Sequence, residues 1–148
     1  EIIVRTLKLA FEGGDFETVV IEETFEFTLP EILKDVKGKE YVGVDLDGTQ
    51  AYYDGWKGLE HIGEPIPRMV AYVKFLIANN IPVAHFTARV ASIDENKVLI
   101  AKKAIDDWSL KVYGKTLPVT AIKDKYMVAY YDDKAYNVKL NKGVWLPH

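Results

Sequence analysis

Two carboxylates two positions apart, Asp45 and Asp47, close the short apolar run Tyr41-Val-Gly-Val and are followed at once by Gly48 and Thr49. Apolar and small residues that stop where the first charge appears, with a glycine to turn the chain, describe a buried strand and its exit. Side chains two apart on an extended chain point the same way. Both carboxylates can therefore face one small volume beyond the strand's carboxyl end, where open α/β sheets bind ligands. Like charges held that close repel unless a cation or a shared proton offsets them. Oxygen ligands of this kind suit Mg²⁺, which commonly binds through one or two carboxylates plus a substrate phosphate.

Three further apolar runs end in polar or charged groups. Val-Ala-His-Phe delivers Thr87, with Arg89 two residues on; Leu-Pro-Val-Thr-Ala-Ile delivers Lys123; Met-Val-Ala-Tyr-Tyr delivers Asp132 and Asp133. A hydroxyl at a sheet's carboxyl edge can donate to a phosphoryl oxygen, and it can equally cap the turn that follows. His85, two before Thr87 on an alternating strand, reads as a packing histidine. Arg89 reads as a solvated surface residue.

In this order, Asp-Leu-Asp-Gly-Thr49, Thr87, Lys123 and Asp132-Asp133 resemble the four signatures of the haloacid dehalogenase superfamily, over about residues 41–138. The resemblance implies a Rossmann-like core and Mg²⁺-dependent phosphomonoester hydrolysis through an aspartyl-phosphate. Asp45 would be the nucleophile, and Asp47 would protonate the leaving oxygen and later take a proton from water. Mg²⁺ would lie among Asp45, Asp132, Asp133 and the Asp47 carbonyl. Thr87 and Lys123, with Lys125 as the competing lysine, would grip the phosphoryl oxygens, where a fixed cation steadies the charge that builds during transfer, and Arg89 would assist if it is not a solvated surface residue. Larger members carry an inserted cap domain, for which Gln50 to Pro67 is too short. That implies an open site for a small phosphorylated substrate whose bulk stays outside, such as a nucleotide or a nucleic-acid terminal phosphate. Trp56 and Tyr53, among the loop aromatics Tyr52, Tyr53, Trp56 and His61, would either bind it by stacking on a base or cover the top of the core in place of a cap domain. The alternative is an assembly or scaffold protein that keeps the same core with little or no catalysis.

Positioning these groups requires strands that end together. Ile2 to Phe11 and Thr18 to Thr28, separated by Gly13-Gly14-Asp15, predict a β-hairpin. Thr28-Leu-Pro-Glu31 has the form of a capping box for a short helix through Val36 that Gly38 ends. Gln50 to Pro67 has neither helical nor strand periodicity, as functional loops often do not. Met69, Val70, Val73, Leu76 and Ile77 predict a helix stopped at Asn79-Asn80. Ser92-Ile-Asp-Glu95 has capping-box form before Val98, Ala101, Ile105, Trp108 and Val112, a helix that Gly114 closes. Strands are expected at Ile81 to Phe86, Leu117 to Ile122, Met127 to Tyr131 and around Tyr136 to Leu140. The alternation predicts an α/β fold, a parallel sheet with helices on both faces. The expected division is a hairpin extension over residues 1–40 and a core over 41–148. One connection is anomalous, because Lys123 lies about four residues before the next strand where a parallel crossover needs about a dozen.

Composition sets the outer bounds. A chain of 148 residues, 49% apolar and 28% charged, is about one ordinary globular domain. A net charge of −3 argues against a protein whose main work is neutralising a nucleic-acid backbone, while leaving room for a local basic groove. The absence of cysteine excludes disulfides and thiolate metal sites. No apolar run is long enough to cross a bilayer and residues 1–10 lack a secretory pattern, so the expected location is cytoplasmic, with no membrane partner.

Overall fold

The computed structural model describes residues 2–12 and 17–146, with side chains from residue 25. The chain opens with an antiparallel hairpin, β1 (Ile2–Glu12) and β2 (Glu17–Phe27), whose expected tip at Gly13-Gly14-Asp15 lies outside the described residues. A parallel sheet follows, made of β3 (Tyr41–Val44), β4 (Val83–Phe86), β5 (Val119–Thr120) and β6 (Met127–Tyr131) in the order β5-β4-β3-β6. Two helices connect the strands, α1 (Pro67–Ala78) between β3 and β4 and α2 (Glu95–Tyr113) between β4 and β5.

The chain steps from β3 to β4 to β5 in one direction, so right-handed crossovers put α1 and α2 on the same face. Residue register agrees. Val42 pairs with Val83 and Val44 with His85, which places these four on one face. Val42 and Val44 share a core cluster with Val73 and Leu76 of α1, and His85 hydrogen-bonds Ser109 of α2. Among the described residues, therefore, the two helices of the sheet share one face and the expected helices on both faces do not form. The return from β5 to β6 runs through residues 121–126, which take no helical form and pass over the opposite face. There Lys123 Nζ lies 5.1 Å from the centre of the Tyr130 ring, which meets Phe86 edge-on. The anomalous connection is thus a bare crossover in place of a helical one, and β5 shrinks to two paired residues at the sheet's edge.

The hairpin forms its own sheet and leaves the edges of the central one alone, running instead against α1. Phe27 enters the main core beside Phe75 and Tyr72, with ring centres 5.6 and 5.2 Å away, and Arg68 lies over the Phe25 and Phe27 rings. The capping box expected at Thr28 is replaced by a single 3-10 turn, Glu31–Leu33, that follows Pro30 without a side-chain cap. Glu31 pairs with Lys34 instead, and the fully buried Leu33 anchors the turn in the core.

Helix ends follow local chemistry more closely than the sequence pattern suggested. Pro67 occupies the first turn of α1, where its missing N–H costs nothing. Asp94, two residues past the expected Ser92, caps α2 by accepting from the N–H groups of Asn96 and Lys97, while Ser92 Oγ accepts from Asp94 N. Gly114 closes α2 in the left-handed conformation as expected. The strand expected around Tyr136 to Leu140 reduces to one bridge between Val138 and Trp145. Among the described residues no helix is long and apolar enough to cross a membrane.

Candidate functional site at the carboxyl edge of the sheet

The carboxyl ends of β3, β4 and β6 meet at a cavity of about 550 Å³. Asp45 is brought there by its own backbone, since its N–H donates to Tyr131 O at 2.9 Å and so ties the end of β3 to the end of β6. Asp45, Asp132 and Asp133 each present a carboxylate oxygen within 4.8 Å of the others. Gly48 permits this approach. Its φ is +84°, and a Cβ there would lie 3.0 Å from Asp133 Oδ2. Thr49 sits between two of the acids, its hydroxyl within reach of Asp45 Oδ2 (3.3 Å) and Asp133 Oδ1 (3.4 Å) while accepting from Asp133 N (3.2 Å). Burial, together with the neighbouring Asp133 and Asp132 carboxylates, pushes the Asp45 carboxyl up to about 7. Crowded carboxylates with oxygen donors only are the chemistry that a hard divalent cation answers. The donor set fits Mg²⁺.

Asp47 has a different environment. Arg89 grips it from β4's side, Nε on Oδ2 at 2.7 Å and Nη2 on Oδ1 at 2.8 Å, a bidentate fork. The same guanidinium donates to the carbonyls of Leu59 (3.0 Å) and His61 (2.7 Å) and lies 4.8 Å from the Trp56 ring centre. Arg89 is only 8% exposed. It is neither a solvated surface residue nor a free anion ligand, because its donors already hold Asp47 and the loop. That loop is an ordered strap. Ala51 bridges to Pro65, Tyr52 N donates to Glu64 O, and Trp108 Nε1 donates to Gly63 O, so the segment rises from a closed base and is pinned over the cavity by Arg89.

Thr87 lines the cavity and also caps the turn after β4, its Oγ1 accepting from Arg89 N at 3.2 Å. Accepting there leaves its own proton to donate. Of the loop aromatics, Tyr53 and Trp56 line the cavity, whereas the Tyr52 and His61 side chains are not among its lining residues. Lys123 and Lys125 are not brought to it either; their ammonium groups lie over the Tyr130 and Tyr126 rings. The lysines that do line it are Lys97, in the first turn of α2, and Lys134, directly after the acid pair.

A buried polar network supports the floor. The fully buried Gln50 donates from Nε2 toward Val44 O and Asp45 O, accepts from the Tyr113 hydroxyl at 2.7 Å, and meets His85 Nδ1 at 3.1 Å. His85 Nε2 in turn meets Ser109 Oγ at 3.2 Å. If Gln50 donates to Nδ1, the ring proton stands on Nε2 and donates to Ser109, whose hydroxyl donates to Lys115 O. Burial lowers His85 to about 4, so the ring is neutral near pH 7. The packing role expected for His85 is therefore also a hydrogen-bonding one. Sequence reading missed Gln50, Thr49, Lys97 and Lys134. Only Thr49 carried a signal, as the last residue of the Asp-Leu-Asp-Gly-Thr run.

Fold and site together define an α/β protein with a four-stranded parallel sheet and a cavity lined by four aspartates at its carboxyl edge. No protein-family model, curated protein or solved structure matches the chain.

Proposed function

We propose that this protein is a Mg²⁺-dependent phosphomonoester hydrolase of the haloacid dehalogenase type, acting through an aspartyl-phosphate. The observation that carries the proposal is the convergence of Asp45, Asp132, Asp133 and the donor hydroxyl of Thr87 on one cavity. Asp45, Asp132 and Asp133 would hold the cation, which when bound would offset the charge of the carboxylates and the phosphate. Asp45 would attack phosphorus as the carboxylate nucleophile, forming a P–O bond as the ester P–O bond breaks. The Gln50 amide, bonded to the Asp45 carbonyl, fixes the backbone from which that carboxylate projects. Thr87 donates to a phosphoryl oxygen.

Asp47 supplies the proton chemistry, and Arg89 limits it. With both oxygens accepting from the guanidinium, Asp47 takes up a proton, whether to pass to the leaving oxygen or from the water that cleaves the acyl-phosphate, as one of those two bonds loosens. Phosphate release from p-nitrophenyl phosphate and a panel of alkyl phosphates, with and without Mg²⁺, tests the proposal. Mg²⁺-dependent release that Asp45→Asn abolishes is expected. No release from any ester, or equal release without a divalent cation, would defeat it.

A further inference from the structure

The cavity is larger than a phosphoryl group needs and lies within the range of sites that enclose a whole small ligand, about 300–1,000 Å³. Its charges fall into separable groups. Arg89 and Asp47 answer each other, and Asp45, Asp132 and Asp133 are the oxygen cluster suited to a cation. That leaves Lys97 and Lys134, neither of which forms an ion pair with a carboxylate among the described residues. They approach from different elements. Lys134 follows the acid pair and is next to where the transferred phosphoryl would bind. Lys97 projects from the first turn of α2, in the lining shared with Ser92.

Ser92 Oγ accepts from Asp94 N and so keeps its hydroxyl proton to donate. Asp94 already takes the N–H groups of Asn96 and Lys97, which means side chains, not the helix end, must hold an anion at this rim. One face of Trp56 rests on Arg89, yet the residue stays 56% exposed, and Tyr53, in the same lining, is 47% exposed. An ammonium, a hydroxyl and two exposed aromatic side chains in one lining match a phosphodiester and the base attached to it. The overall charge of −3 gives no long-range pull on a polyanion, so recognition is confined to this short local stretch.

We propose that Lys97 and Ser92 form a subsite for the phosphodiester next to the scissile phosphate, making the substrate the phosphorylated end of a single nucleic-acid strand, while Lys134 serves the transferred phosphoryl. The inference rests on the hydrolase reading above. It is tested by comparing kcat/KM for thymidine monophosphate with that for hexathymidylate carrying a terminal phosphate at either end. The oligonucleotide is expected to exceed the mononucleotide by about tenfold, the worth of one charge-assisted hydrogen bond. Lys97→Ala should bring that ratio close to one and Lys97→Arg should restore it, whereas Lys134→Ala should lower both substrates together. Equal constants in the wild type, or a ratio that Lys97→Ala leaves intact, would overturn the subsite. If no ester is turned over at all, the hydrolase reading has failed. Fluorescence anisotropy of the labelled oligonucleotides then decides the subsite: binding lost in Lys97→Ala upholds it, and binding that is absent or independent of Lys97 overturns it.

Discussion

Asp45 and Asp47 leave the same strand two residues apart, yet the fold gives them opposite surroundings. Asp45 faces two more acids and the Thr49 hydroxyl, and its carboxyl is pushed up to about 7 by burial and by those acids. Asp47 faces a buried guanidinium that takes both of its oxygens. The difference arises from which strand each one meets. Asp45 is bonded through its backbone to β6, which ends in acids, while Asp47 lies past the strand in the turn opposite the end of β4, which delivers Arg89. Spacing alone makes the two carboxylates look equivalent; the neighbouring strand ends divide them into an uncompensated group, suited to a cation and a nucleophile, and a compensated one, suited to moving a proton.

The largest expected effect separates the pair by activity. Asp45→Asn should remove measurable turnover while leaving the circular dichroism spectrum and the melting cooperativity of the wild type, because a carboxamide keeps the size and loses the nucleophile. Asp47→Asn should cost about 10²–10⁴-fold in kcat, the usual worth of general acid–base catalysis. Steady-state kinetics on one alkyl phosphate would check both, and equal losses for the two variants would erase the distinction between them.

Stability tests the compensated side. Arg89→Ala leaves Asp47 without its partner and the strap without its pin, and should cost roughly 3 kcal/mol in urea unfolding, as truncating one member of a largely buried pair does. The double variant Arg89→Ala, Asp47→Ala should lose less than the sum of the single losses. Strict additivity would show that the fork contributes no coupling.

Titration sets the two regions against each other. His85 is joined through Gln50 to the Asp45 carbonyl, with a folded value of about 4 set below the ordinary 6.5 by burial. Its contribution is fully present above pH 6.5 and is lost as pH falls toward 4, by up to roughly 3 kcal/mol. Asp45 runs the other way. Its folded value lies above the ordinary 3.8, so in the metal-free protein its contribution is present below about pH 4 and is lost as pH rises through 7. Urea unfolding of wild type and Asp45→Asn from pH 4 to 8 would separate the two slopes: the variant should lose the decline on the alkaline side and keep the decline on the acid side. The smallest effect follows from the same crowding. Mg²⁺ at about a hundredfold its Kd should stabilise the folded state by about 2.7 kcal/mol, more at pH 8 than at pH 5, and Asp132→Asn should weaken that response.

The apolar runs of β3, β4 and β6 were legible in the sequence, and with them the positions of Asp45, Thr87, Asp132 and Asp133, because a strand end is a local feature that periodicity reports. The Arg89 fork was not, since it depends on how a loop without periodicity folds back over the end of β4. The same holds for Lys97 and Lys134, which reach the cavity through a helix start and a turn. Lys123 shows the converse. It stands at the end of an apolar run like the others, but β5 is a two-residue edge strand and the chain leaves it at once for the opposite face, carrying the lysine to Tyr130. The missing helical crossover was visible as a spacing anomaly; where it would carry the lysine was not.

The central claim is that Asp45, and not Asp47, bonds to phosphorus. Acid-quenching the protein during turnover of p-nitrophenyl phosphate with Mg²⁺, followed by peptide mass spectrometry, addresses it directly. A phosphoryl adduct is expected on the Asp45 side chain in wild type, accumulating further in Asp47→Asn as water attack slows, and none in Asp45→Asn. An adduct on Asp47 or another residue, or steady turnover by Asp45→Asn with no adduct anywhere, would contradict it.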